Sequence, residues 1–478
     1  MRVSLAIAFG CLLPAGAAAA TPTFNHDVAP ILYEKCATCH RPGQVAPFPL
    51  LTYDDARRRA GLLAIVTAKR YMPPWKAAPG YGHFQDERRL TDAQIAIIGE
   101  WARNGTPEGD PKDKPAPPQF ASGWLSGKPD DVVTMTQPFH IPADGRDVFQ
   151  CFVIPLNFPS DRYVKTVEFH PGNPLVVHHA LFFLDGSGEA RRLDAATPEP
   201  GYSCFGGPQI QPSGGLGGWA PGATPEPLPP GVAQTIGKGT DLVIQIHYHP
   251  SGKPEIDQSS LGLTFGERPD KGLANMLMGT RKIDLAPGDA HQEVTDWAVV
   301  PENVELIGII PHAHLLCKEM KVDARLPNGK VEPLIWIKDW DFNWQGQYRY
   351  AEPVDLPKGT RIEMRCVYDN STGNPHNPSN PPQRVTFGEQ TTNEMALLFL
   401  QVVLPHPEDV PRFRREFMLG RLGQFLDGAE PAGIGRRAMP RLRAAMQLFD
   451  TNHDGKLEPE ERAALLKFLA GRINAGKQ

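Results

Sequence analysis

Beyond residue 20 the chain has no apolar run near the ~18 residues that a membrane-crossing helix needs, so no membrane span is expected there. It also lacks a strong charge of either sign. Against 49 basic residues stand 54 acidic ones, a net charge of −5. That is too weak to point to nucleic acid or to an anionic membrane surface as a partner. Strand-like and helix-like segments do not alternate as they would in βαβ units, which excludes a doubly wound parallel sheet. No strict short-period repeat is present. Cysteine is scarce, seven in 478 residues, so each can be considered singly.

Proline, in contrast, is abundant at 50 residues. Such content disfavours long helices and favours short strands joined by turns. The length predicts about three domains at roughly 150 residues each. Residues 1–20 read as a secretory signal peptide: Arg2, then an apolar stretch from Val3 to Leu13, then Ala18-Ala19-Ala20 ahead of cleavage. The expected location is therefore the bacterial periplasm or outside the cell. Cys11 leaves with the signal, and six cysteines remain. Four of these, Cys151, Cys204, Cys317 and Cys366, are available for disulfides in an oxidising compartment.

The other two begin Cys36-Ala37-Thr38-Cys39-His40, a CxxCH motif. Its two thiols can take up the vinyl groups of a haem, and its histidine can bind the iron. Around it, residues 21–112 show helical spacing over Ile31–Cys36, Asp54–Lys69 and Thr91–Asn104, the last opened by a capping box of Thr91 and Gln94. Met72, in Arg70-Tyr71-Met72-Pro73-Pro74-Trp75, is the expected second axial ligand, with His83 as the alternative. The segment Phe24 to Asp110 resembles small class I cytochrome c domains. Residues 113–125 form a Pro-rich linker that Asp110-Pro111-Lys112 leads into.

From there to about residue 406 the texture is β. Runs such as Val164–Phe169, Leu175–Phe183, Leu242–Tyr248, Val304–Ile310, Arg361–Tyr368 and Met395–Leu404 are separated by Gly, Pro, Asn and Asp clusters. These predict two antiparallel sandwiches dividing near 275–285. Three histidine clusters lie on the runs: His178-His179, His247-Tyr248-His249 and His312-Ala313-His314. Residues two apart on a strand share a face, so each His-x-His can converge on one metal. Adjacent His178 and His179 point to opposite faces unless the strand bends or ends there. Imidazole and thioether, the latter from Met395, are ligands that redox copper favours. By spacing alone His249 is as good a candidate as His247. His170 and His376 are expected to be structural or exposed, and His140 and His291 have no assigned role.

The segments Val176-Val177-His178-His179-Ala180, Ile244 to His249, Pro311 to Leu315 and Asn393-Glu394-Met395 resemble, in order and spacing, the copper type II ascorbate-dependent monooxygenases. That group includes peptidylglycine α-hydroxylating and dopamine β-monooxygenase. The resemblance implies two jelly-roll-like β-sandwiches, here 126–280 and 281–406, with one copper on each. By motif, His178, His179 and His247 hold an electron-transfer copper, and His249 becomes a spare. His312, His314 and Met395 hold the copper where O2 binds and a C–H bond of substrate is cleaved. Cys151 and Cys204 fit a family disulfide. Cys366 lacks its expected partner, since Ala396 stands in that place, and Cys317 is the alternative. The family's substrate-recognition residues do not map onto this chain.

Residues 407–478 turn helical again. Asp450 to Glu461 fits a twelve-residue EF-hand loop, with Asp450, Asn452, Asp454, the Lys456 carbonyl and Glu461 as Ca2+ ligands and Gly455 at the turn. The fold class expected is thus multidomain: a small α-helical cytochrome c domain, two antiparallel sandwiches and a short EF-hand region. The function expected is an exported monooxygenase acting on a small organic substrate with O2. It would use two copper ions and one haem c, the haem fed by a periplasmic electron donor. The alternative is a non-enzymatic haem and copper electron-transfer or copper-handling protein.

Overall fold

A computed structural model describes residues 21–44, 46–120, 123–433, 439–454 and 456–475. The signal-like segment 1–20 and Gly455 lie outside the described residues. The chain is mostly antiparallel sheet with a few helices. It divides into two compact units: the described residues up to Pro74 with Arg88–Gln119, and Trp75–Glu87 with the residues from Phe120 onward.

The first unit is helical, with Ala29–Lys35, Tyr53–Arg57, Ala60–Ala68 and Asp92–Arg103. The capping box of Thr91 and Gln94 forms as its sequence predicts. The single helix expected over Asp54–Lys69 is instead two. Its break falls at Arg59, whose backbone leaves the helical region at φ −121° and ψ 11°. The Arg59 guanidinium turns back onto the Asp55 carbonyl. Phe24, Leu32, Leu50, Ile98 and Trp101 fill the core.

The second unit contains two pairs of sheets. In the first pair, a five-stranded sheet runs Tyr202–Ser203, Val148–Pro155, Asp241–Tyr248, Val177–Asp185 and Gly214–Trp219 in hydrogen-bonded order. A four-stranded sheet of Asp131–Thr134, Ser260–Phe265, Arg162–His170 and Gln234–Ile236 shares its core, which holds Phe152, Phe169, Phe182 and Ile244. In the second pair, Gly272–Gly279, Ala396–Leu404, Val304–Ala313 and Tyr348–Leu356 form one sheet. Gln292–Val299, Arg361–Tyr368, Cys317–Arg325 and Val331–Ile337 form the other. Alternation of apolar and polar residues explains the sandwich-like pairing, because each inner face supplies half of a shared core.

The change from one sheet pair to the next falls before residue 272, ahead of the expected 275–285. Gly272–Gly279 is apolar enough to pair over its whole length with Ala396–Leu404, the last strand of the second pair. Residues 75–87 depart from the expected single segment 21–112. Ala77 bridges to Ile337 and Phe84 to Tyr350, and both side chains sit in the core of the second sheet pair.

The C-terminal helices are Val410–Leu426, Met439–Phe449 and Pro459–Ala475. The first docks on the second sheet pair through buried Arg421, which donates to Asp296, the Gly279 carbonyl and the Trp297 carbonyl. Among the described residues no helix is long and apolar enough to cross a membrane. Cys151 and Cys204 form a disulfide. Cys317 and Cys366 are buried free thiols. In the ladder Cys317 faces Tyr368 while Cys366 faces Met320, so the two thiols are out of register with each other.

Candidate metal centre

The first histidine cluster depends on an irregularity in one strand. Val177 pairs with Tyr248, but the next pair is His179 with His247, leaving His178 as the extra residue of a bulge. A bulge re-aims the side chains beside it, which is how two adjacent histidines come to one side. His178 Nδ1 lies 3.1 Å from His179 Nδ1, and His179 Nδ1 lies 3.3 Å from His247 Nδ1. His249 follows the end of its strand, its N–H held by the Val176 carbonyl. Its ring packs 4.5 Å from that of His178 and 4.7 Å from that of His247, centre to centre. One ring nitrogen each from His178, His247 and His249 fall within 4.8 Å of one another.

The three rings that come together as a group able to hold one ion are thus His178, His247 and His249, and His249 is the one that the family resemblance makes a spare. His179 lies against His178 and His247 through its Nδ1. Four imidazoles gather here.

Asp147 sits against two of them and bonds one. Its Oδ1 is 2.7 Å from His249 Nδ1, and its Oδ2 is 3.1 Å from His247 Nε2, at an angle too poor for a hydrogen bond. Oδ2 also accepts from the Thr391 hydroxyl at 2.7 Å, and Thr391 belongs to the segment that leads to Met395. Burial alone would raise the Asp147 carboxyl. The nearby His247 ring and the bonds with His249 and Thr391 outweigh it and hold the group far below the usual range. Phe149 stacks on His247 from the side, with ring centres 4.1 Å apart.

The second cluster lies where Val304–Ala313 pairs with Ala396–Leu404. His312 faces Leu397 and Ala313 faces Ala396, so continuing the register sets His314 opposite Met395. His312 Nδ1 meets Gln345 Oε1 at 2.6 Å, and His314 Nδ1 meets the Asn393 carbonyl at 3.1 Å. Each bond requires the proton on Nδ1 and leaves the Nε2 lone pair free for a metal. Fully buried Glu394 ties this corner together. It accepts backbone N–H bonds from Leu316 at 2.6 Å, His314 at 2.9 Å and Met395 at 3.1 Å. Burial pushes its carboxyl up to about 8 against those donors. The Met395 carbonyl takes the Tyr368 hydroxyl at 2.7 Å.

His178, His179, His247, His312 and His314 are all held below the ordinary histidine range. Burial, then the nearby imidazoles, push His178 down to about 3 and His179 well below its usual value. Burial takes His312 to about 4 and His314 to about 3, with neighbouring imidazoles adding to it. It lowers His247 too, against the pull of Asp147. Neutral imidazoles with lone pairs turned together are the donor set that a borderline metal needs, so the residues fit such an ion. The sign of the pH effect follows. These groups take up protons in the unfolded chain near 6.5 but in the folded chain only near 3 to 4. Stability is therefore full above 6.5 and falls as the pH drops through that window. Thermal melting of the metal-free protein from pH 7.5 to 4.5 should show a falling midpoint. A flat profile would mean that these rings are solvated.

In the first unit, the turn after Ala29–Lys35 carries the CxxCH residues. The His40 N–H donates to the Cys36 carbonyl at 2.9 Å. Cys36 and Cys39 are half-buried free thiols, and burial pushes Cys36 up to about 12. His40 Nδ1 bonds the Phe48 carbonyl at 3.0 Å, which leaves Nε2 for an iron. The residues thus fit a covalently held haem. Met72 lies half-buried in the same unit, with its N–H on the Val66 carbonyl. His83 is exposed on the 75–87 segment of the other unit.

Between the last two helices the EF-hand-like loop is pinned by its own acids. Asp454 N–H donates to Asp450 Oδ1 and Asn452 Oδ1, Lys456 N–H donates to Asp454 Oδ1, and Glu461 Oε2 accepts from Glu458 N–H. His170 stacks on Trp124 at 3.9 Å and bonds Glu168, so it is structural. His140, His291 and His376 are exposed.

Sequence reading missed Asp147, Gln345, Phe342 and the clamping role of Glu394. Only the aromatic density of Trp340-Asp341-Phe342-Asn343-Trp344 offered a signal.

No family model and no curated protein matches the chain. Among solved structures, it is similar at 10% identity to the major capsid protein P2 of bacteriophage PM2, with a TM-score of 0.23 over 54% of this chain and 97% of that one. It is likewise similar at 10% identity to the VP2 subviral particle of infectious bursal disease virus, with a TM-score of 0.18 over 61% of this chain and 76% of that one. Scores this low bear on neither fold family nor function.

Proposed function

We propose that the chain is an exported copper-dependent monooxygenase that hydroxylates a C–H bond of a small organic molecule with O2. The observation that carries this reading is the pair of imidazole clusters in one compact unit, one on each sheet pair, with Met395 beside the second. In finer detail, the two sheet pairs would be jelly-roll-like sandwiches, the first unit a cytochrome c domain and the last helices a Ca2+-binding EF-hand. His178, His247 and either His179 or His249 would hold one copper, and His312, His314 and Met395 the other. When bound, copper supplies one-electron cycling and activation of O2, and a haem on Cys36, Cys39 and His40 supplies replacement electrons taken from a periplasmic donor.

The chain's own residues have definite tasks. Gln345 and the Asn393 carbonyl hold protons on Nδ1, so the Nε2 lone pairs of His312 and His314 are presented to the metal. Asp147 steadies His249 and lies against His247. Thioether softness at Met395 favours the cuprous state of its site. Asp450, Asn452, Asp454, the Lys456 carbonyl and Glu461 would hold a structural Ca2+.

The alternative is a haem and copper electron carrier. Turnover of the copper-loaded protein under 18O2 with candidate substrates separates the two. A hydroxylated product carrying the label supports the monooxygenase. Rapid haem and copper redox cycling with no labelled product supports the carrier.

A further inference from the structure

The two histidine clusters lie on different sheet pairs, so something other than a strand must set their spacing. A single side chain touches an imidazole of each. The Phe342 ring stacks on His178 with centres 5.3 Å apart and planes at 18°. It meets His314 edge-on, with centres 5.7 Å apart and planes at 87°. The two imidazoles thus lie against one phenyl ring, one over its face and the other perpendicular to it.

The segment that carries Phe342 joins Val331–Ile337 to Tyr348–Leu356 and is fastened at several points. Trp340 Nε1 donates to the His314 carbonyl at 3.1 Å. Gln345 holds His312 Nδ1 at 2.6 Å. Gln347 Nε2 reaches the Gly218 carbonyl of the first sheet pair at 3.0 Å, and Gly218 pairs with Leu181 on the strand of His178 and His179. Lys76 pins Asp339 at 3.0 Å from outside. The ring is therefore held from both sides.

We propose that Phe342 is a positioning residue for the metal pair, a rigid spacer that fixes the separation of the two sites across the sheet pairs. This rests on the two-metal reading above. An aromatic ring suits the task because it is flat, stiff and closely packed, whereas a smaller side chain would leave a gap for water and allow the two sheet pairs to shift.

The test is pulsed electron paramagnetic resonance of the full chain loaded with two equivalents of Cu(II). Wild type should give one narrow copper–copper distance. Phe342→Ala should lose it to a broad distribution while still taking up two coppers. Phe342→Tyr, which keeps the ring, should restore the narrow distance. Phe342→Leu, close in volume but not planar, should fall between and guards against an alanine variant that fails to fold. Two bound coppers with the same narrow distance in every variant would overturn the spacer and leave the two-metal reading intact. A wild type that binds one copper or none would remove that reading and the spacer with it.

Discussion

Asp147→Asn is expected to weaken Cu(II) binding at the proposed first copper site by about 10- to 100-fold, the usual cost of losing a carboxylate that orients a ligating histidine. The side chain keeps its shape, so packing is not the cause. What changes is charge and hydrogen bonding. The carboxylate now accepts from His249 at 2.7 Å and from Thr391 at 2.7 Å, and His247 sits 3.1 Å away. An amide offers one acceptor oxygen, so these groups cannot all be served. Competition against a chelator of known affinity reads the effect directly. Thr391→Val is the companion variant. It removes only the tie to the segment before Met395 and should leave first-cluster affinity within a few-fold of wild type. Equal affinity in Asp147→Asn and wild type would mean that His247 and His249 need no such support.

Glu394→Gln should lower stability by roughly 3 kcal/mol, the scale for buried donors left without acceptors. Both carboxyl oxygens of Glu394 accept backbone N–H groups, from Leu316 on one side and from His314 and Met395 on the other. Glutamine must turn its own NH2 against one of these sets, whichever way it flips. That holds whether the native group is ionised or protonated, because either oxygen of a carboxyl can accept. The variant also alters the pH profile. Burial raises the native carboxyl to about 8, so its contribution is present in acid and is lost as the pH rises from the ordinary glutamate range through 8. Chemical denaturation at pH 6 and pH 9 should show this alkaline loss in wild type and not in Glu394→Gln. An unchanged midpoint at both pH values would discount the clamp.

The strands were largely legible in the sequence, and so were the histidines. Arg361–Tyr368 has the bounds that its alternation predicts, and Asp241–Tyr248 extends the expected run by one residue. Arg361–Tyr368 is legible because most of it alternates between a buried and a half-buried face, whereas Asp241–Tyr248 is buried along its whole length and reads as a short continuous apolar run. Periodicity says nothing of a bulge, so the route by which His178 and His179 share a side became visible only with the register. Asp147, Gln345 and Phe342 were hidden for a different reason. A lone carboxylate, amide or phenyl ring carries no spacing signal, and each meets its histidine from a remote part of the chain. The early strand boundary at Gly272 was hidden because an eight-residue apolar run does not say which sheet it joins.

The segment from Trp75 to Glu87 makes the two units interlaced in sequence. Its Ala77 and Phe84 are core residues of the second sheet pair, although the chain on either side of it belongs to the first unit. Cutting the gene at the Pro-rich linker would not separate two whole parts. One product would carry a strip of stray core, and the other would have an open slot beside Tyr348 and Tyr350. Exchange of the haem-motif segment between relatives by simple recombination at that linker is therefore barred unless the new segment brings a matching strip.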